Sequence, residues 1–114
     1  MKNLFLGVSL FVLAQALIWF QSNGQFVWPW FKRNPLIIAM LGGTIISYIF
    51  IKGTWLLAEH FDGQLWPGRF IGQATGIVVF AGLTFMILDE GINLKTGVSL
   101  FLAALLIGIQ IFWK

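Results

Sequence analysis

The chain contains no cysteine, which excludes disulfides, thiolate metal sites and cysteine nucleophiles. Charge is also scarce, because only 10% of the 114 residues are charged, whereas soluble domains carry about 25%. An ordinary water-exposed surface is therefore excluded. The seven Lys and Arg residues form no cluster larger than Lys32-Arg33, so the sequence offers no basic patch for nucleic acid.

Apolar side chains dominate instead, with 59% hydrophobic residues and a mean hydropathy of +0.90. A helix needs about 20 mostly apolar residues to cross a bilayer. Four stretches meet this requirement, at about 4–20, 35–58, 69–88 and 94–113. The sequence therefore predicts an all-α, four-transmembrane-helix bundle that forms a single integral membrane domain over residues 1–114. The connections are short, with a Trp-Pro-Gly turn at 66–68 before the third segment and Gly91 as the expected helix terminator after it. Such short connections make neighbouring helices antiparallel.

Small residues recur at four-residue spacing in three of the segments, and such rows mark helix contacts in membranes. The rows are Ala39, Gly43 and Ser47; Gly68, Gly72 and Gly76; and Ala104 with Gly108. We expect Gly43, Gly72 and Gly76 to serve helix packing. Any one row fits either packing within the bundle or a subunit interface, and three rows in so small a bundle indicate some oligomer contact.

Polar side chains at membrane depth are costly and so need a reason. Gln15 lies midway along the first segment, with Trp19 four residues later. Lys52 lies in the second segment, with Tyr48 and Trp55 nearby. We predict that these five residues bind substrate. Four further polar residues rank below them and fit helix packing equally well: Gln73, Thr75, Thr84 and Gln110. Purely structural roles are equally open: Gln15 joins helices by hydrogen bonding, Lys52 snorkels to the membrane interface, and the aromatic rings face lipid.

Few residues are suited to catalysis. The single histidine, His60, lies between Glu59 and Asp62, but no further ligand converges on this group, and a solvated loop accounts for it. Ser9 and Ser99 have no recognisable base partner, and neither a phosphate loop nor a dinucleotide fingerprint is present. We therefore expect no enzyme activity, no cofactor and no metal site.

The Lys and Arg residues are divided almost equally between the two ends of such a bundle. One end carries three of them: Lys32, Arg33 and Lys95. The other end carries four, if Lys52 is counted with it: Lys2, Lys52, Arg69 and Lys114. Because Lys and Arg set membrane orientation, this balance predicts insertion in both orientations. The alternative is that the early helices impose one orientation.

Four short stretches resemble the small multidrug resistance family of the drug/metabolite transporter superfamily. Trp55–Ala58 (WLLA) resembles the end of that family's second helix, and Gly76–Val79 (GIVV) a run in its third. Asp89–Leu94 (DEGINL) resembles the following turn, and Ala104–Ile109 (ALLIGI) the fourth helix. The spacing between these stretches is also nearly that of the family.

The resemblance implies an antiparallel homodimer in the inner or plasma membrane of a prokaryotic-type cell, with a shared central site. The fourth helix would form the dimer contact, which assigns Ala104 and Gly108 to it. The family's essential acidic residue falls on Gln15, which cannot exchange a proton, so proton-coupled cation export cannot run through this position. Four-helix relatives that move lipid-linked sugars also lack that acid.

Two functions follow as expectations. The first is a small transporter that moves a polar or amphipathic metabolite, or a lipid headgroup, through a dimeric central site. The second is an accessory subunit that packs against a larger membrane complex through its rows of small residues and transports nothing itself.

Overall fold

The protein is all-helical over residues 1–113, the part of the chain that the computed structural model describes. The helices are α1 (Lys2–Asn23), α2 (Pro29–Arg33), α3 (Pro35–His60), α4 (Trp66–Leu88) and α5 (Leu94–Phe112), with a 3-10 turn at Gly24–Phe26. Four of them, α1, α3, α4 and α5, are long and apolar enough to cross a membrane. The predicted four-helix class is thus confirmed at this level.

The start of α4 differs from the expected boundary. The Trp-Pro-Gly stretch at 66–68, predicted as a turn before the helix, forms the first turn of α4 itself. Proline is tolerated there because the first N–H groups of a helix have no intrahelical partner. The helix therefore begins three residues earlier than predicted.

Helix α4 ends at Leu88, where the predicted segment ends, but the residue that terminates it differs from the expectation. Gly91 is predicted to terminate the helix, but the chain leaves it at Asp89, which adopts the left-handed conformation with φ of 57°. The backbone N–H groups of Asp89 and Glu90 both bond to the carbonyl oxygen of Thr84. Aspartate visits this conformation more readily than most residues, so no glycine is needed.

Helix α1 lies between α3 and α4, and α5 packs mainly against α4. Contacts of Gly7 with Leu57 and of Gln21 with Ile38 show that α1 and α3 are antiparallel. The bundle consequently has a Met1 end, which includes His60 and Trp66, and an Asn23 end, which includes Pro35 and the α4–α5 turn. Both termini of the described chain lie at the Met1 end.

The closest helix crossing brings Gly7 of α1 against Gly53 of α3. A Cβ on Gly53 would lie 2.7 Å from the ring of Phe11, and one on Gly7 would lie 2.8 Å from Leu57. Phe11 and Leu57 belong to the buried core together with Ile71. These glycines allow the two backbones to approach closely, and neither was among the predicted packing residues.

The predicted packing glycines take different positions. A Cβ on Gly43 would come within 3.9 Å of Gln21, whereas one on the adjacent Gly42 would come within 3.2 Å, so Gly42 faces α1 more directly. Gly72 and Gly76 lie against α1, where a Cβ would be 3.3 Å from Phe11 and 3.1 Å from the Gln15 amide respectively.

Candidate functional site

Gln15 joins α1 to α4 near the middle of the bundle. Its Nε2 donates a hydrogen bond of 3.2 Å to the carbonyl oxygen of Gly72. The absence of a side chain at Gly76 leaves the space that the amide group occupies. Since α helices rise about 1.5 Å per residue, Gln15 lies about 12 Å from the end of α1 at Asn23, well below the end of the helix.

Trp19 makes a second polar contact between the same helices, one turn further along α1. Only 2% of Trp19 is exposed, and its Nε1 donates a 2.9 Å hydrogen bond to Oγ1 of Thr84, which is 5% exposed. A buried indole N–H needs such an acceptor. Two hydrogen bonds from one face of α1 therefore join it to α4.

A cavity of about 830 Å³ lies beside these contacts, between α1, α4 and α5. Gln15, Trp19 and Thr84 line its inner part, and Asn23 and Glu90 line the part nearest the Asn23 end. We call this the Asn23-side cavity. Its size falls within the roughly 300–1,000 Å³ typical of small-molecule sites.

A second cavity of about 560 Å³ lies between α1, α3 and α4 on the other side of Gln15. Thr54 and Arg69 line it, and Leu65 places it toward the Met1 end; we call it the Met1-side cavity. Its lining shares with the first cavity three residues: Gln15, Gly72 and Gln73. The two cavities thus approach one another at the Gln15–Gly72 hydrogen bond from opposite ends of the bundle.

Tyr48, Lys52 and Trp55 are not brought together with Gln15 and Trp19 within this chain. Helix α3 turns Ile46, Gly53 and Leu57 toward the bundle, which leaves the three predicted residues on its outer face. Tyr48 is 62% exposed and Trp55 is 59% exposed, and Lys52 is exposed between them. None of the three lines either cavity, so the predicted five-residue site divides into two groups.

Lys52 lies on the exposed outer face of α3, so the snorkelling alternative stays open for it. Its Nζ lies 5.9 Å from the ring centroid of Tyr48, one turn back toward the middle of the helix. Glu59 lies seven residues after Lys52, about 10 Å from it along the axis of α3 and on the side away from Tyr48.

The predicted dimer-contact residues lie on the outer surface of α5. None of the residues Leu94–Phe112 is buried, and Ala104 is exposed. A Cβ on Gly108 would meet no atom of the described chain within 4 Å. This surface is open to another helix, and its assignment as a dimer contact stays a prediction.

Thr84 and Gln73, which ranked below Gln15 as sequence-based candidates, both line the Asn23-side cavity. Glu90 also lines it and was not predicted from the sequence. A usable signal was present: Gln15 and Trp19 are four residues apart, and so are Gly72 and Gly76. Two such rows face one another if the helices pack side by side. Extending the second row by eight residues reaches Thr84.

Comparison with family models, with curated proteins and with solved structures finds no match to this chain. The two cavities and the residues between them are therefore the features that bear on function.

Proposed function

We propose that the chain is a small four-helix membrane transporter that moves a small polar or amphipathic metabolite, or a lipid headgroup, across the bilayer. One observation carries the proposal: two cavities reach from opposite ends of the bundle to the same layer of residues. Transporters hold substrate near the bilayer midplane and open the site to either side in turn. A thin layer between two cavities is the arrangement that this process requires.

The lining favours a substrate with both apolar and hydrogen-bonding parts. The Asn23-side cavity is mostly apolar, and its uncharged polar side chains include Gln15, Gln73 and Ser99. An amide has two donor hydrogens and an acceptor oxygen, so the bond to Gly72 leaves Gln15 with capacity to bind a hydroxyl or carbonyl group. Charged side chains occur only toward the mouths, as Glu90 and Arg69.

Coupling to protons through α1 is not part of the proposal. Helix α1 contains neither Asp nor Glu, and the Gln15 amide does not ionise. The energy source must lie elsewhere in the cycle, for example in the substrate gradient itself.

The unit that we propose is an inverted homodimer in contact through α5. Two observations support it: the open surface at Ala104 and Gly108, and the near-equal division of Lys and Arg between the two ends. Fusing the C-terminus to a reporter active only inside the cell, and separately to one active only outside, tests it. We expect signal from both, and signal from one alone would contradict the inverted dimer.

The same open surface also suits the accessory-subunit alternative. Purification in mild detergent separates the two, because an accessory subunit would be recovered with a stoichiometric partner of different sequence. A homodimer alone favours the transporter.

Thiol labelling tests whether the cavities admit water, and the cysteine-free sequence makes each introduced thiol unique. We expect Ser99→Cys in the Asn23-side cavity and Thr54→Cys in the Met1-side cavity to react with a membrane-impermeant methanethiosulfonate in proteoliposomes. Val78→Cys is the control, since Val78 is 70% exposed on the outside of α4 and faces lipid in the proposed orientation. If both cavity thiols are as unreactive as the control, the proposal fails.

A further inference from the structure

Lys52 is the only charged residue in the interior of any membrane-spanning helix. Lys2, Arg69 and Lys95 all lie in the first turns of α1, α4 and α5, and Glu59 lies in the last turn of α3. The 26 residues of α3 span about 39 Å, which exceeds the hydrocarbon thickness of about 30 Å. If α3 is centred, the Cα of Lys52 lies about 8 Å below the nearer boundary.

No acidic residue of the chain lies at this depth. The stretches 2–58, 66–88 and 94–112 contain neither Asp nor Glu. The cavities offer no compensation either, because Lys52 is on the face of α3 opposite to α1. A lone cation in hydrocarbon is costly, so its counter-charge must come from outside the chain.

The surroundings of Lys52 identify that counter-charge. Tyr48, Lys52 and Trp55 follow the i, i+4, i+7 spacing and share the exposed outer face of α3. The Tyr48 ring lies on the side of the bilayer centre, with its centroid 5.9 Å from the Lys52 Nζ. Trp55 is nearer the boundary, where an indole ring is favoured and its N–H can donate to a headgroup oxygen. The Lys52 side chain is exposed on this face, so its flexible stem can extend toward the headgroup region.

We propose that Tyr48, Lys52 and Trp55 form a binding site for the phosphate of an anionic phospholipid on the outer face of α3. Lys52 extends toward the boundary to pair with the phosphate, which local thinning of the bilayer brings within its reach. Trp55 donates a hydrogen bond to the phosphate or to the adjoining ester, and Tyr48 lies along an acyl chain. The site is separate from both cavities and does not depend on the transport proposal.

Native mass spectrometry of the protein in micelles doped with equal amounts of phosphatidylglycerol and phosphatidylcholine tests this site. One Lys near a membrane surface favours an anionic lipid by roughly fivefold. We expect about that preference for the first bound phosphatidylglycerol, its loss in Lys52→Gln, its retention in Lys52→Arg, and a smaller decrease in Trp55→Phe.

Lys32→Gln is the matched control, because it removes one positive charge from α2 at the other end of the bundle. It should leave the preference for the first lipid unchanged. An unchanged preference in Lys52→Gln, or an equal loss in Lys32→Gln, overturns the proposal. Loss of the dimer in Lys52→Gln with no change in lipid preference also overturns it and places Lys52 in a contact between subunits instead.

Discussion

Helix α1 meets its two neighbours in contrasting ways. Against α3 the contact is close and apolar, with Gly7 and Gly53 at the crossing and Phe11 packed over them. Against α4 the apolar packing of Phe11 on Gly72 is joined by two hydrogen bonds, from Gln15 and Trp19, with a cavity on either side of the first. Both interfaces contain glycine, but the α1–α3 interface is tightly packed, whereas the α1–α4 interface is flanked by cavities.

The difference indicates separate roles for the two interfaces. Close packing stabilises membrane helices without leaving room for a ligand, so the α1–α3 contact serves as the fixed part of the bundle. Hydrogen bonds between membrane helices are individually weak, averaging about 0.6 kcal/mol. The α1–α4 contact is thus the one that, on our transport proposal, breaks and re-forms between the two cavities.

The largest expected effect comes from filling the α1–α3 crossing. Gly53→Ala places a methyl group 2.7 Å from the Phe11 ring, and overpacking of this kind costs about 1–3 kcal/mol. We expect a clearly lower midpoint of thermal unfolding in detergent. Gly82→Ala is the control, because its Cβ meets nothing within 4 Å of it in the described chain. Equal stability of the two variants would contradict the close crossing.

A moderate effect is expected from the Trp19–Thr84 bond. Thr84→Val leaves a buried indole N–H without its acceptor, which we expect to cost about 1 kcal/mol. Trp19→Phe in the same chain removes the unpaired donor, so the double variant should lose less than the two single variants combined. Thr44→Val provides the comparison, since Thr44 is exposed and bonds only to Met40 of its own helix turn. Additive losses would show that the bond contributes nothing.

Sequence reasoning recovered the four long apolar helices, and it singled out two residues that line the Asn23-side cavity, Gln15 and Trp19. The four spans follow from apolar length, and the pair of Gln15 and Trp19 follows from the cost of polar groups in lipid. It could not place Tyr48, Lys52 and Trp55, because which face α3 turns inward depends on the long-range contact of Gly53 with Gly7. Gly53 belongs to none of the rows of small residues at four-residue spacing, so no local sequence pattern indicated that it packs against another helix.

The smallest expected effect on stability, and the most direct test of the transport proposal, belongs to Gln15. Gln15→Ala removes one interhelical bond and should cost about 0.6 kcal/mol, while it removes the side chain that separates the two cavities. The measurement is the fraction of protein labelled in proteoliposomes by an external impermeant thiol reagent, with Ser99→Cys and Thr54→Cys made in separate chains.

With Gln15 in place, each thiol is reached from one end of the bundle only, so the two labelled fractions should together equal the whole population, whatever the mixture of orientations. With Gln15→Ala, the account predicts that both fractions approach the whole population, because either thiol is then reached from both sides. Gln110→Leu, which alters a glutamine of α5 that lines neither cavity, should change neither fraction. Fractions that are the same with and without Gln15 would contradict the claim that this residue is the barrier.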